Sequence, residues 1–332
     1  MEGVLLDTYG RVATDLRVSL TDRCNLRCTY CMPEEGLQWL ARPDLLTDDE
    51  IVRLVRIAVT GFGVTDVRFT GGEPLLRPGL VGIVERCAAL TPRPRLSLTT
   101  NGIGLARTAE ALRAAGLDRV NVSLDTLDAA TFRTLTRRDR HADVLAGLAA
   151  AAAAGLAPVK VNAVLMRGLN DTEAPALLRW AVEHGYELRF IEQMPLDAQH
   201  GWQRSGMVTA DEILASLRAH VRLTPEGAPA RGSAPAERWL VDGGPARVGV
   251  IASVTRPFCR ACDRTRLTAD GQVRNCLFAR EESDLRGPLR AGATDAEVAA
   301  LWRAAMWGKK AGSGLDDPRF RQPDRPMSAI GG

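Results

Sequence analysis

Excess charge of one sign is nearly missing from this chain. Its 332 residues carry 43 Lys and Arg against 40 Asp and Glu, a formal balance of +3. That is too small to recruit nucleic acid or a membrane surface, so any anion site must be a local cluster. Long apolar runs are missing too. The longest uncharged stretch, Val144 to Val159, is mostly alanine and is interrupted by Gly147, Gly155 and Pro158. It is short for a membrane span of roughly 18 residues or more and reads as a buried amphipathic helix ending at Gly155. Met1 to Asp7 lack the basic start and apolar stretch of a secretory signal. A cytoplasmic protein is expected. Histidine is scarce as well: His141, His184, His200 and His220 are the four, and none is close in sequence to a cysteine cluster.

What is present is a globular composition, 45% hydrophobic and 25% charged. A chain near 300 residues buries roughly 75% of its unfolded surface, enough for a sizeable core. Short apolar runs alternate with helical patterns over the first two thirds. Strands are expected at Leu16–Leu20, Asp66–Thr70, Arg95–Thr99, Arg119–Leu124, Val159–Leu165 and Glu187–Glu192. Thr47 with Glu50 is a capping box that opens a helix. Gly116, Gly155 and Gly185 occupy helix C-cap positions, each just before a strand. Repeated strand–helix units argue for a parallel sheet with helices outside. Six of them suit an incomplete (β/α)6 TIM-type barrel, with a doubly wound sheet as the alternative. In such barrels the chemistry gathers at the C-terminal ends of the strands.

After residue 208 the rhythm changes. Thr209 with Glu212 caps another helix, Pro225 to Gly244 reads as loop, and Ala246–Val254 as a strand. Asp270-Gly271 joins Arg264–Ala269 to Gln272–Leu277, a strong hairpin signal. Thr294 with Glu297 opens a last helix to Trp307, and Gly308 to Gly332 is a Gly/Pro-rich tail carrying Arg319, Arg321 and Arg325. The expected division is 1–208, a partial barrel; 209–307, a C-terminal region; and 308–332, the tail.

Six of the seven cysteines form two triplets. Cys24, Cys28 and Cys31 follow the first strand. Cys259 and Cys262 form a tight pair, with Cys276 on the far arm of the hairpin. In a reducing compartment such thiols are metal ligands or catalysts more often than disulfides. A four-iron cluster wants four thiolates, so three leave one iron open for a substrate's amine and carboxylate. Zinc is the rival for either triplet, though it needs a fourth ligand. Cys87, in a helical pattern, reads as a plain helix residue. Basic residues in four strands, Arg17, Arg68, Lys160 and Arg189, are unusual where parallel strands read mostly apolar. Converging, they would suit a polyphosphate, which Arg pairs in two places. Arg264 and Arg266 are two apart in a strand and share a face.

The first triplet, with Tyr30 before its last cysteine, and the run Thr70-Gly71-Gly72-Glu73-Pro74 resemble the radical S-adenosylmethionine superfamily. Pro257 to Gly271, around the second triplet, resembles one of its families: molybdenum cofactor biosynthesis protein A, the GTP 3′,8-cyclase. Further matches are Arg17 to Asp22, Thr99-Thr100-Asn101-Gly102, Ser123-Leu124-Asp125, Lys160-Val161-Asn162, Arg189-Phe190-Ile191-Glu192 and the final Gly331-Gly332. The resemblance implies an incomplete barrel closed by the C-terminal cluster region. It implies two [4Fe-4S] clusters on Cys24, Cys28, Cys31 and on Cys259, Cys262, Cys276. S-adenosylmethionine falls to Tyr30, Gly72, Glu73, Ser123 and Met194. GTP falls to Arg17, Arg68, Thr99, Lys160, Arg264, Thr265 and Arg266. Arg189, Gly331 and Gly332 take catalytic roles, with the tail threading into the barrel where no side chain fits. A 5′-deoxyadenosyl radical would abstract hydrogen from C3′ of GTP, and the ribose carbon would join C8 of guanine. The product, (8S)-3′,8-cyclo-7,8-dihydroguanosine 5′-triphosphate, would go to a cyclic pyranopterin monophosphate synthase. The implied electron donor is a reduced flavodoxin or ferredoxin, and a homodimer stays open. Another radical enzyme with an auxiliary cluster, such as a peptide-modifying maturase, is the second reading. An iron–sulfur electron carrier and a zinc-binding interaction module are the non-enzymatic ones.

Overall fold

The computed structural model describes residues 3–227 and 231–331. Six strands, β1 (Asp15–Ser19), β2 (Asp66–Thr70), β3 (Arg95–Thr100), β4 (Arg119–Ser123), β5 (Lys160–Val164) and β6 (Glu187–Ile191), lie side by side in chain order and in parallel. Helices α1 (Asp48–Arg56), α2 (Leu80–Ala88), α3 (Leu105–Ala114), α4 (Ala129–Thr136), α5 (His141–Ala153) and α6 (Ala174–Glu183) connect them. All three expected capping boxes form, at Thr47/Glu50, Thr209/Glu212 and Thr294/Glu297. Gly116, Gly155 and Gly185 adopt the left-handed backbone that lets each chain leave its helix and enter the next strand.

Strand periodicity sorts the side chains. Leu16 and Val18, Val67 and Phe69, Leu96 and Leu98, Val120 and Val122, and Leu188 and Phe190 are fully buried under the helices. The alternate positions, Arg17, Arg68, Ser97, Thr99, Asn121, Lys160 and Arg189, face the lumen. The apolar face accounts for the core, and the polar face leaves the inside of the barrel free for chemistry.

The C-terminal region extends both edges of this sheet. Helix α7 (Ala210–Arg218) leads into β7 (Leu223–Pro225), β8 (Glu237–Val241) and β9 (Arg247–Ile251), with β9 parallel to β6. At the other edge β10 (Arg264–Leu267) runs parallel to β1 and carries β11 (Gln272–Arg274) and β12 (Ser283–Asp284). The twelve-stranded sheet ends at β12 and β7 and does not close, the architecture of a partial barrel. The stretch Pro225 to Gly244, expected as loop, contains a strand. Glu237–Val241 pairs with β9, and Trp239 and Val241 are buried, so tertiary pairing overrides a Gly/Pro-rich composition. Helices α8 (Arg286–Arg290), α9 (Asp295–Trp307) and α10 (Met327–Ile330) follow, the last within the tail. Among the described residues, no helix is long and apolar enough to cross a membrane.

Candidate active site

The first triplet occupies the loop that leaves β1. Cys24, Cys28 and Cys31 line a cavity of about 160 Å³ with Tyr30, Gly72, Thr99 and Ser123. All three are free thiols, and burial pushes Cys24 up to about 11 and Cys31 up to about 12. Desolvated thiols are costly to ionise; Arg27 offsets this only in part at Cys24, and bound iron would supply further positive charge. Among the described residues, no three His, Cys, Asp or Glu side chains are set to hold a single metal ion. An all-sulfur donor set of three with no fourth ligand fits an open-site cluster better than zinc.

Gly72 has no room for a side chain. A Cβ there would lie 2.3 Å from the Arg23 carbonyl oxygen and 2.4 Å from that of Asp22. Glu73 is buried, and its carboxylate accepts from the Leu75 amide at 3.0 Å, the Thr100 hydroxyl at 2.6 Å and the Asn101 amide at 2.7 Å. Burial raises Glu73 to about 7 against those three donors. Tyr30 donates to Asp125 Oδ2 at 2.7 Å, and Asp125 Oδ1 accepts the Val164 amide at 2.9 Å, which ties the cysteine loop to the end of β5.

The second triplet lines a smaller cavity, about 70 Å³, with Met194, Phe258, Arg264 and Arg266. Burial opposes ionisation of Cys262, but Lys309 and Arg264 outweigh it and hold the thiol below its ordinary value. Lys309 Nζ lies 3.5 Å from Cys262 Sγ and donates to the carbonyls of Cys262, at 3.1 Å, and Arg264, at 2.8 Å.

Arg17 is in register with Arg68 on one side and Arg266 on the other, which stacks three guanidinium groups on the inner face of β1, β2 and β10. Arg17 and Arg68 stay partly accessible deep in the lumen. Desolvation, reinforced for Arg17 by Arg68 and Arg264, lowers Arg17 to about 9 and Arg68 to about 10. Burial and the neighbouring Arg17 and Arg264 push Arg266 well down. Asp15, which burial would raise, is held down by Arg17, Arg68, Arg264 and Arg266. Arg189 is buried, donates to Asn121 Oδ1 at 2.9 Å, and leaves its Nε without a partner; Asn121 in turn donates to Thr99 Oγ1 at 3.2 Å. Lys160 is paired with Glu187 at 2.9 Å, and desolvation lowers it to about 8.

The tail enters the same lumen. Arg325 grips Asp270 at 2.8 and 2.6 Å. Met327 and Ser328 line the first cavity, and the Gly331 carbonyl accepts from Arg266 at 2.7 Å. Three residues span at most about 11 Å, which bounds the reach of the tail from Ser328 at the first cavity to Gly331 at Arg266. Gly332 lies outside the described residues.

The structure thus gathers Tyr30, Gly72, Thr99 and Ser123 at the first cavity and Met194, Arg264 and Arg266 at the second. Thr265 belongs to neither. Its hydroxyl accepts from Trp302 Nε1 at 3.0 Å on the outer, helix-covered face. Asn101 and Asp125 lie in runs that carry the family resemblance but were given no role there, and Lys309 and Asp15 were not singled out. The role of Asp125 could have been read from Ser123, two residues before it and so on the same side of an extended chain; Lys309 carries no local signal.

This fold and site define a radical S-adenosylmethionine enzyme. The family model described as Radical SAM superfamily matches residues 18–181, and the one described as Molybdenum Cofactor Synthesis C matches residues 186–315. The structure of Streptococcus suis SuiB bound to S-adenosylmethionine superposes with a TM-score of 0.61 over 93% of this chain and 68% of that one; at 13% identity the likeness is one of fold. Two curated relatives narrow the class. A GTP 3′,8-cyclase of Streptomyces coelicolor is 81% identical over 99% of this chain and 96% of its own length. GTP 3′,8-cyclase 2 of Mycobacterium tuberculosis H37Rv is 65% identical over 99% of this chain and 92% of its own length. The chain belongs to the GTP 3′,8-cyclase family.

Proposed function

We propose that the chain converts GTP to (8S)-3′,8-cyclo-7,8-dihydroguanosine 5′-triphosphate, the first step of molybdenum cofactor biosynthesis. The observation that carries this reading is the lumen itself. Five guanidinium groups, of Arg17, Arg68, Arg189, Arg264 and Arg266, have Asp15 and Glu187 as carboxylate neighbours; Glu187 is already shared with Lys160, and Asp66, in register with Asp15, is taken by Arg95 and Arg119. Uncompensated buried charge is costly, and a triphosphate relieves the cost by charge-assisted, two-pronged contacts. When bound, the clusters and S-adenosylmethionine supply the 5′-deoxyadenosyl radical and the closing electron.

The chain's own residues divide the remaining work. Cys24, Cys28 and Cys31 hold one [4Fe-4S] cluster, and Cys259, Cys262 and Cys276 the other. Tyr30, Gly72 and Ser123 receive S-adenosylmethionine at the first cavity. Glu73, with both oxygens occupied, fixes the turn beside it. Met194 contacts S-adenosylmethionine from the side of the second cavity. Arg17, Arg68, Lys160, Arg264 and Arg266 hold GTP, Thr99 meets it at the rim shared with the first cavity, and Thr265 contributes through its backbone. Arg189 and the Gly331-Gly332 end keep substrate and radical in line and exclude water. Residues 1–208 act as the radical-generating unit, 209–307 as the substrate unit, and 308–332 as the strap between them. A reduced flavodoxin or ferredoxin in the cytoplasm supplies electrons, and a cyclic pyranopterin monophosphate synthase takes the product.

Anaerobic incubation of the reduced, iron-loaded protein with S-adenosylmethionine tests this. Formation of 5′-deoxyadenosine that depends on GTP is expected. Equal formation with and without GTP, or none with both clusters loaded, would refute it.

A further inference from the structure

Asn101 has no part in the roles above, yet it lines the first cavity beside Cys24. Its side-chain oxygen accepts the Ile103 amide at 3.0 Å, which fixes which end of the amide faces which way. The nitrogen therefore points at the cysteine loop. One N–H reaches Asn25 Oδ1 at 2.7 Å, and the nitrogen lies 3.9 Å from Cys24 Sγ. The Leu26 amide approaches the same sulfur at 3.5 Å.

The residue is also held from behind. Its backbone amide donates to Glu73 Oε2 at 2.7 Å, while Glu73 Oε1 takes the Thr100 hydroxyl at 2.6 Å. The Thr100 hydroxyl in turn accepts the Gly102 amide at 3.0 Å. A buried carboxylate thus pins both residues of a two-residue segment, and the side chain it does not hold directly, that of Asn101, carries its nitrogen toward a thiol. Glu73 makes no contact with the cavity itself, so its burial is explained by what it positions.

We propose that Asn101 tunes the reduction potential of the cluster on the first triplet by donating an N–H to Cys24, with Glu73 as its positioning residue. One-electron reduction adds a negative charge that the cluster shares with its thiolates. A donor aimed at one of those sulfurs stabilises the reduced form and raises the potential. The inference rests on the reading that Cys24, Cys28 and Cys31 bind a four-iron cluster.

The test is a potentiometric titration of Asn101→Ala, iron-loaded anaerobically, with each cluster followed by its electron paramagnetic resonance signal. At a fixed ambient potential the reduced-to-oxidised ratio of the first cluster is expected to fall about tenfold, as for one lost hydrogen bond to a charged group, or about 59 mV for one electron. The second cluster is expected to keep its potential, which a general loosening of the fold would not allow. An unchanged first potential with full iron content overturns the proposal. Absence of iron from the first triplet of the unaltered protein overturns the underlying reading instead. Should Asn101→Ala not take up iron, protein carrying nitrogen-15 in its asparagine side chains decides. A nitrogen-15 coupling to the reduced first cluster that survives Asn25→Ser is expected, and its absence refutes the proposal.

Discussion

Gly331→Ala offers the sharpest perturbation of the lumen. Gly331 has φ +87°, in the left-handed region, where a side chain costs about 1–2 kcal/mol. An added methyl would lie 2.8 Å from Thr70 Cγ2 and 3.1 Å from Ser19 Cβ, both at the ends of central strands that cannot retreat. Overpacking of that kind costs about 1–3 kcal/mol. The sum, about 2–5 kcal/mol, opposes docking of the tail end rather than folding of the sheet. Holding the tail are the Arg325–Asp270 pair, the Met327 amide on the Leu196 carbonyl at 3.0 Å, and the Arg266 contact that the methyl would displace. A cost near 3 kcal/mol lowers the docked population roughly 100-fold. The expected outcome is GTP turnover reduced at least tenfold, with iron content and melting temperature within error of the parent. Cleavage of the tail by a dilute protease should quicken in parallel. Full turnover by Gly331→Ala would refute the reading that the terminal backbone must seat against Arg266.

Three further outcomes follow from the same site. Lys160, lowered to about 8 by desolvation, carries its charge below that pH and sheds it above, so KM for GTP should rise as pH passes 8. Lys160→Arg should flatten the profile, and a profile identical in both proteins would exclude Lys160 from the triphosphate site. Cys262→Ala should leave the first cluster able to cleave S-adenosylmethionine slowly while abolishing the cyclic product, as measured by separate quantification of 5′-deoxyadenosine and nucleotide. Arg325→Ala and Asp270→Ala, combined in a double-mutant cycle, should show a coupling of about 1–2 kcal/mol for this half-buried bidentate pair. The cycle is measured as protection of the tail from proteolysis.

Much of this molecule was legible in its local sequence. The capping boxes at Thr47, Thr209 and Thr294 form from contacts three residues apart, and the six barrel strands begin and end within a residue or so of their expected positions. The hairpin at Asp270-Gly271 turns where expected, with the Thr268 amide on the Gln272 carbonyl at 2.9 Å. Strand β8 was not legible, because its order comes from β9 across the sheet rather than from its own composition.

The spacing of the two cysteine triplets and the alternation of Arg with apolar residues were determined by sequence alone, because neighbours along a loop or strand have their relative positions fixed by the backbone. Tertiary structure decided which of those residues meet. Arg17 stands beside Arg266 only because β10 pairs with β1 across 249 positions of chain. The same pairing turns Thr265 outward to Trp302 while its neighbours turn in. Glu73 faces Asn101 because β2 and β3 are adjacent, and Gly331 reaches Arg266 because Asp270 catches Arg325. Strand alternation marks these basic residues in the order of residues, but not which of them repel one another; only parallel strands curving around a common space bring them together.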